Sequence, residues 1–193
     1  KLDVPPPELI SEAEKLELLL SLGFVSESMK PPFVILGSST WPGEERVLIE
    51  IMNRMIKDGK DCRLLLVPRH AERAPEILEE LRNQGLLWHQ RSTQSPPAGE
   101  VRIYLADTTG ELSKLTQIAD IAFIGKSLPP NEGGQSPIDA AGLSVPMIMG
   151  PNMSNFRDIS NALANRGAAI QIHDEHRLEA AIQELYTDHE RRE

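Results

Sequence analysis

The sequence predicts one α/β domain, a Rossmann-like parallel sheet with helices on both faces. Two observations lead to it: short apolar runs alternate with longer amphipathic stretches, and the length of 193 residues suits a single domain. Strands that alternate with helices in this way are joined by right-handed crossovers, which make neighbouring strands parallel. The 40% of apolar residues is enough to build a buried core.

Each element follows from the periodicity of its apolar residues. The first helix is predicted to begin at Pro7 and Glu8 and to end near Gly23, because proline suits a first turn and apolar residues recur at helical spacing. Phe33–Leu36 is an apolar run behind a Pro-Pro break, which is typical of a buried strand. The further predicted strands are 63–67, 86–90, 101–105, 121–124, 146–149 and 168–172. The further helices are 43–58, 73–84, 109–118, a short one ending near 143, 155–165 and one beginning at 174.

The composition excludes several classes of protein. Lys plus Arg number 20 against 29 Asp plus Glu, so the net charge is −9, which argues against a nucleic-acid or anionic-membrane surface. The apolar runs are far shorter than the roughly 20 residues that span a bilayer. The single cysteine, Cys62, fits a reducing compartment and is predicted to be inert. His173 and His176 lack further ligands, so we expect a surface pair and no metal.

The loops that follow the strands are the candidate site, since such sheets bind ligands outside the carboxyl ends of their strands. The small hydroxyl residues of 37–45 suit either a cap of the next helix or a backbone that approaches an anion. Behind the second strand, Arg69 offers a planar fork for phosphate, with His70 as a donor beside it. The alternative is that Arg69 pairs with Glu72 or Glu76.

Two further loops carry similar signals. In 107–112, backbone N–H groups at a helix start would meet a ligand, although Glu111 would also simply suit the helix dipole. In 125–139, a Gly-Gly pair allows close backbone approach, and Asp139 could accept hydrogen bonds from two vicinal ribose hydroxyls. The alternative for this stretch is a flexible loop without a ligand.

Five motifs stand in these loops in a fixed order between about residues 33 and 172. They are Ser38-Ser39-Thr40 with Gly43-Glu44-Glu45, Pro68-Arg69-His70-Ala71-Glu72-Arg73, Asp107-Thr108-Thr109-Gly110-Glu111-Leu112, Gly133-Gly134-Gln135-Ser136-Pro137-Ile138-Asp139, and Gly150-Pro151 with Asn155-Phe156. Together they resemble the C-terminal half of bacterial 3-deoxy-D-manno-octulosonic acid (Kdo) transferases. One motif would be weak evidence, but five in order are specific.

The resemblance implies that residues 1–193 form the donor-binding half of a GT-B glycosyltransferase of lipopolysaccharide biosynthesis, with 1–7 as a remnant of the interdomain linker. The donor would be CMP-Kdo and the acceptor a lipid A precursor, with inversion at the anomeric carbon and no metal or cofactor. The family's catalytic carboxylate belongs to the N-terminal acceptor domain, so no catalytic residue is predicted here. The whole protein would act at the cytoplasmic face of the inner membrane, whereas this chain alone would be soluble and inactive.

The resemblance also assigns a donor-nucleotide site. Arg69 and His70 match contacts to CMP, 109–111 match a segment that contacts the nucleotide through its backbone, and 136–139 match the segment beside phosphate and ribose. The full set is Arg69, His70, Thr109, Gly110, Glu111, Gly133, Gly134, Gln135, Ser136, Pro137, Ile138 and Asp139, with Ser39 and Lys126 as possible phosphate contacts.

The chain departs from the family pattern at several of these positions. Gln135 and Ser136 stand where His-Asn is common, and Ser136 keeps a polar cap but loses the amide's second contact. Asp139 stands where Glu is usual, Lys126 where Gly is common and Trp41 where His is often found. Lys126 adds a cation that could reach a phosphate. Two alternatives therefore stay open: a transferase or epimerase that uses a uridine-nucleotide sugar, and a non-catalytic nucleotide-binding domain.

Overall fold

A computed structural model describes residues 8–25 and 31–192 and contains one seven-stranded sheet. Its strands are β1 Phe33–Thr40, β2 Cys62–Pro68, β3 Trp88–Gln90, β4 Ile103–Leu105, β5 Ile121–Ile124, β6 Met147–Met149 and β7 Ala169–Gln171. The order across the sheet is β3-β4-β2-β1-β5-β6-β7, and every neighbouring pair is parallel. The predicted parallel sheet is confirmed. The predicted linker remnant, residues 1–7, lies outside the described residues.

Helices connect the strands as the periodicity predicts. They are α1 Glu12–Ser21, α2 Glu44–Lys57, α3 Ala74–Arg82, α4 Leu112–Thr116, α5 Ile138–Gly142, α6 Arg157–Asn165, α7 Glu175–Thr187 and α8 His189–Arg192. Among the helices of the described ranges, none has the length and apolar character that crossing a bilayer requires.

The predicted start of the first helix is wrong. Residues 8–10 are not helical, and α1 begins at Glu12 because Ser11 caps it. The backbone N–H of Glu14 donates to the Ser11 hydroxyl at 3.3 Å, and the Ser11 N–H donates to the Glu14 carboxylate at 2.7 Å. This capping box satisfies two N–H groups of the first turn, which outweighs the preference of proline for a first turn. The helix predicted over 109–118 is also shorter, since α4 spans only Leu112–Thr116.

The sheet separates two hydrophobic cores. Alternate residues of each central strand point to opposite faces, as Ile35 and Leu64 do on one side and Leu36 and Leu65 on the other. Helices α2, α3 and α7 cover the first face, and α1, α4, α5 and α6 cover the second. The strands β1 and β2 are therefore buried along their length, as central parallel strands are.

The chain reverses its direction of growth at β1. After β1 it adds β2, β3 and β4 on one side, and it then crosses over to place β5, β6 and β7 on the other. Ile35 of β1 accordingly has Leu64 of β2 and Ile121 of β5 as its two neighbours. Open parallel sheets bind ligands at such a switch point, outside the carboxyl ends of the two central strands. The fold thus directs attention to the ends of β1 and β5.

Candidate donor-nucleotide site

The loop behind β1 does not cap α2 with its hydroxyl residues. Ser38, Ser39 and Thr40 belong to β1 itself, and the residue that caps α2 is Gly43, whose φ of 90° suits glycine. Ser39 also has a positive φ, of 53°, at the point where β1 ends. The alternative that these hydroxyls serve as helix caps is therefore wrong, and β1 carries its small polar residues to the carboxyl edge of the sheet.

A buried glutamate fastens this loop to the loop behind β5. The carboxylate of Glu44 accepts backbone N–H groups from Trp41 at 2.9 Å, Lys126 at 2.8 Å, Ser127 at 2.9 Å and Leu128 at 3.1 Å. Burial raises the pKa of Glu44, and these N–H donors oppose that rise by favouring the carboxylate. The first residues of the stretch behind β5 are thus held in place, which argues against flexibility at this end of the loop.

Arg69 stands at the carboxyl edge with its guanidinium exposed. Its backbone N–H donates to the carbonyl of Thr40 at 3.1 Å, so the ends of β1 and β2 meet there. Within residues 8–25 and 31–192 its side chain has no hydrogen-bond or ion-pair partner, so the alternative pairing with Glu72 or Glu76 is wrong. Arg69 keeps its five donors for a ligand.

The neighbouring charged side chains are committed elsewhere. Arg73 pairs with the buried Glu45 at 2.8 Å and with Glu76 at 3.3 Å. Glu76 is one of the two carboxylates that the sequence suggested as a partner of Arg69. His70 lies with Nδ1 3.3 Å from a carboxylate oxygen of Glu72. Glu72, the other carboxylate that the sequence suggested for Arg69, thus lies beside the imidazole of His70 instead.

The side chains of Trp41, His70 and Lys126, each from a loop that follows a different strand, meet at the switch point. The Lys126 ammonium lies 4.3 Å from the centroid of the Trp41 ring, and the Trp41 and His70 rings meet edge to face with centroids 5.4 Å apart. Trp41 follows β1, His70 follows β2 and Lys126 follows β5. The sheet order, rather than sequence proximity, brings them together.

Gly133 and Gly134 are buried against the loops that follow β5 and β6. The N–H of Gly134 donates to the carbonyl of Lys126 at 3.0 Å, which ties the glycine segment to the loop behind β5. Both glycines have positive φ, 100° at Gly133 and 73° at Gly134. A Cβ at these positions would collide with Asn155 and Met153, respectively. The positive φ angles and the close packing against the loop behind β6 favour glycine at both positions, a reason that sequence reasoning did not identify.

Ser136 does not cap α5 as predicted, because the capping position is Pro137, whose side chain makes no cap hydrogen bond. The Ser136 hydroxyl accepts the N–H of Ile138 at 3.3 Å, and Pro137 is the residue directly before the helix rather than within its first turn. Asp139 lies half-buried in the first turn. Gln135 is fixed by its backbone, since its N–H donates to the carbonyl of Gly125 at 2.9 Å. The predicted phosphate and ribose residues thus border the edge at the end of β5.

The segment behind β4 offers its backbone. Thr109 and Gly110 are exposed, and Gly110 has a φ of 87°. The Glu111 carboxylate accepts the Thr108 hydroxyl and pairs with Arg91 at 2.8 Å. Burial acts to raise the pKa of Glu111, but these two partners outweigh it and lower the pKa. Because the Glu111 side chain is engaged, the backbone of this segment and the exposed Thr109 are the groups open to a ligand.

Buried polar atoms without partners also cluster at the end of β1. In the described part of the chain, the Thr40 hydroxyl and the Trp41 indole N–H are buried and make no hydrogen bond. Such groups are rare in folded proteins, because each costs about 1–3 kcal/mol, and they call for a functional explanation.

A cavity of about 440 Å³ lies further along the edge, between Gly133 and the start of α6 at Arg157.

Glu44 and Trp41 are the residues that sequence reasoning left without a role. Glu44 looks like an ordinary acidic residue of a first helical turn, and its partner Lys126 is 82 positions away. No local pattern shows such a pairing.

No group of three or more His, Cys, Asp or Glu in 8–25 and 31–192 is arranged to hold a metal ion.

Comparison with known proteins identifies the family. The chain is 36% identical over 148 residues to a 3-deoxy-D-manno-octulosonic acid transferase of Rickettsia bellii, an alignment that covers 77% of this chain and 35% of the relative. The chain belongs to the Kdo transferase family. A Kdo transferase of Haemophilus influenzae is 29% identical over 187 residues, covering 96% of this chain and 43% of that protein. No family profile matches the chain.

The Kdo transferase assignment agrees with a solved structure. The C-terminal CMP-Kdo binding domain of WaaA from Acinetobacter baumannii superposes with a TM-score of 0.82 at 24% identity, covering 93% of this chain and 91% of that domain. This match confirms the predicted fold class, the Rossmann-like C-terminal half of a GT-B glycosyltransferase. The chain spans only about a third of the length of the Rickettsia relatives.

Proposed function

We propose that this chain is the donor-binding domain of a Kdo transferase, which moves Kdo from CMP-Kdo to a lipid A precursor in lipopolysaccharide biosynthesis. One observation on this member of the Kdo transferase family carries the proposal. Side chains from the loops that follow β1, β2 and β5 meet at the switch point, and Arg69 and Lys126 have no carboxylate partner there in the described ranges. Two cations kept open at one edge of an acidic chain suit an anionic nucleotide.

The nucleotide would be held at this edge by backbone and side chains together. We propose that Arg69 and Lys126 bind the phosphate, with Ser39 beside them, and that His70 donates at the β2 side. Residues 133–138 border the phosphate through their backbone, and Asp139 accepts from ribose hydroxyls. Residues 109–111 contact the nucleotide through their backbone N–H and C=O groups, because the Glu111 side chain is already paired with Arg91.

These groups would act on the leaving group. As the bond from the sugar to the phosphate breaks, negative charge grows on CMP, and fixed donors at this position stabilise it more in the transition state than in the ground state. No residue of this chain is placed as the catalytic base. We propose that the base, the lipid acceptor site and the attachment to the inner membrane belong to other parts of a longer protein, and that transfer inverts the anomeric carbon without a metal or a cofactor.

The proposal is tested with the full-length gene product. Purified enzyme given CMP-Kdo and a lipid A precursor should transfer Kdo, and Arg69→Ala should raise KM for CMP-Kdo about tenfold, as removal of one charged hydrogen bond does. An exposed arginine directly after α6, tested as Arg166→Ala, is the matched control. Transfer from a uridine-nucleotide sugar instead of CMP-Kdo would contradict the proposal, and so would an unchanged KM in Arg69→Ala.

A further inference from the structure

Trp41 and Lys126 are packed against each other although they come from separate loops. The Lys126 ammonium lies 4.3 Å from the centre of the indole ring, well inside the range in which a cation is attracted to an aromatic face. His70 supports the ring from its edge, with centroids 5.4 Å apart and planes at 77°. The three side chains thus form one contact group at the ends of β1, β2 and β5.

The backbone at Lys126 gives no reason for a lysine. Its φ is 57°, a left-handed conformation that glycine adopts far more readily than a residue with a Cβ. Its N–H is held by Glu44 at 2.8 Å and its carbonyl by the N–H of Gly134 at 3.0 Å, so the conformation is fixed from both sides. These backbone bonds hold the left-handed conformation, so the reason for a lysine here must be sought in its side chain.

The Lys126 ammonium makes no ion pair in the part of the chain that the structure describes. The chain has 29 acidic residues, yet in its described ranges none forms an ion pair with this ammonium. Glu44, whose carboxylate binds the Lys126 backbone, is occupied by backbone N–H groups. Holding a half-buried lysine over an indole restricts its rotamers and keeps its charge at the end of β1 and β5. An arrangement of this kind suits an anion that arrives from outside.

We propose that Trp41 and Lys126 form an anion-binding pair for the phosphate of the donor nucleotide, in which Lys126 binds the phosphate and Trp41 positions its ammonium. The proposal rests on the proposed function, since it names the group that this pair holds in the donor site.

The test is calorimetric titration of the 193-residue chain with CMP, cytidine and inorganic phosphate. Lys126→Gln should weaken CMP binding about tenfold and leave cytidine unchanged, because cytidine has no phosphate for Lys126 to hold. Lys60→Gln is the matched control, since Lys60 also lies over an aromatic ring, Tyr186 at 5.7 Å, but at the opposite edge of the sheet. It should change neither affinity.

The role of Trp41 is tested by coupling. Trp41→Ala should weaken CMP but not cytidine, Trp41→Phe should retain most of the CMP affinity because it keeps an aromatic face, and Trp41→Ala should add little in a Lys126→Gln background. Additive effects of the two substitutions would overturn the positioning role. Thermal melts of each variant separate weaker binding from unfolding.

The outcomes distinguish the pair from the proposed function. If the wild-type chain binds CMP and Lys126→Gln binds it equally well, the pair is wrong and the proposed function stands. If the wild-type chain binds phosphate through Lys126 but does not bind CMP, the pair stands and the proposed function is wrong. Absence of binding to both ligands would overturn both.

Discussion

A buried arginine at the amino edge of the sheet differs from two cations at the carboxyl edge in what it binds. At the amino edge, the buried Arg63 pairs with Asp61 at 2.7 Å and Glu100 at 2.5 Å and donates to the carbonyl of Phe24 at 3.1 Å. At the carboxyl edge, Arg69 and Lys126 have no carboxylate partner within the described residues.

The comparison separates two purposes of positive charge. A buried arginine must be paired, because an uncompensated charge in the interior is costly, so Arg63 serves the stability of the fold. A cation that stays unpaired in a chain of net charge −9 keeps its donors for a ligand. Four comparisons of variants test this account of the two edges, beginning with the largest expected effect.

Arg63→Ala should destabilise the domain by about 3 kcal/mol, because it removes a buried side chain, leaves the buried Phe24 carbonyl without this donor and takes one of two arginine partners from Asp61 and Glu100. Arg69→Ala should change stability by less than about 0.5 kcal/mol, since its guanidinium is exposed and unpaired within the described ranges. Urea unfolding of both variants measures the contrast. Equal destabilisation by the two substitutions would remove the distinction between the two edges.

Glu44→Gln should destabilise the domain by about 2 kcal/mol, because the amide turns an N–H donor toward backbone N–H groups that now lack an acceptor. It should also weaken CMP binding, since the loops behind β1 and β5 lose their connection. Denaturant unfolding and CMP titration measure the two effects. Glu50→Gln, an exposed position of α2, is the control and should be neutral. A fully stable Glu44→Gln variant would contradict the assigned role.

Gly134→Ala should cost more stability than Gly85→Ala. Both glycines have positive φ, 73° and 69°, so both substitutions carry about 1 kcal/mol of backbone strain. Only at Gly134 would the new Cβ also collide with Met153, which adds about 1 kcal/mol, whereas nothing lies within 4 Å at Gly85. Thermal unfolding compares the two. The same melting temperature for both would show that the glycine segment has room to move.

Asp61→Asn should flatten the decline of stability in acid by a small amount. Burial acts to raise the pKa of Asp61, but Arg63 and Arg102 outweigh it and hold the pKa below its ordinary value of 3.8. A lowered pKa contributes stability above about pH 3.8, and that contribution is lost as the pH falls through the folded-state pKa. Because Asp61 is half-exposed, the difference should be under about 1 kcal/mol. Unfolding curves between about pH 7 and 2.5 measure it, and identical curves for both proteins would contradict the pairing.

Much of the fold was predictable because periodicity reports burial directly. The apolar runs at 33–36 and 64–67 are short and end in loops, which favours buried strands, and the amphipathic stretch between them has the length of a crossover helix. The start of α1 was not predictable in the same way, because Pro7 and Ser11 both favour a helix start and only the reciprocal bonds of Ser11 and Glu14 decide between them.

The site was predictable in its location but not in its contacts. The rule for parallel sheets identified the loops behind β1, β2, β4 and β5. Which arginine would pair depended on three-dimensional distance, and Arg73 rather than Arg69 reached the glutamates. The contacts of Glu44 and Trp41 with Lys126 join positions more than 80 residues apart, and neither leaves a local pattern in the sequence.

The central claim is that CMP binds at the carboxyl edge, and amide chemical shifts test it most directly. We predict that titration of the 193-residue chain with CMP shifts the resonances of Arg69, residues 109–111, Lys126 and residues 133–139, with UMP and UDP producing smaller shifts at equal concentration. Shifts confined to the amino edge around Arg63, or a response to UDP that exceeds the response to CMP, would contradict the account.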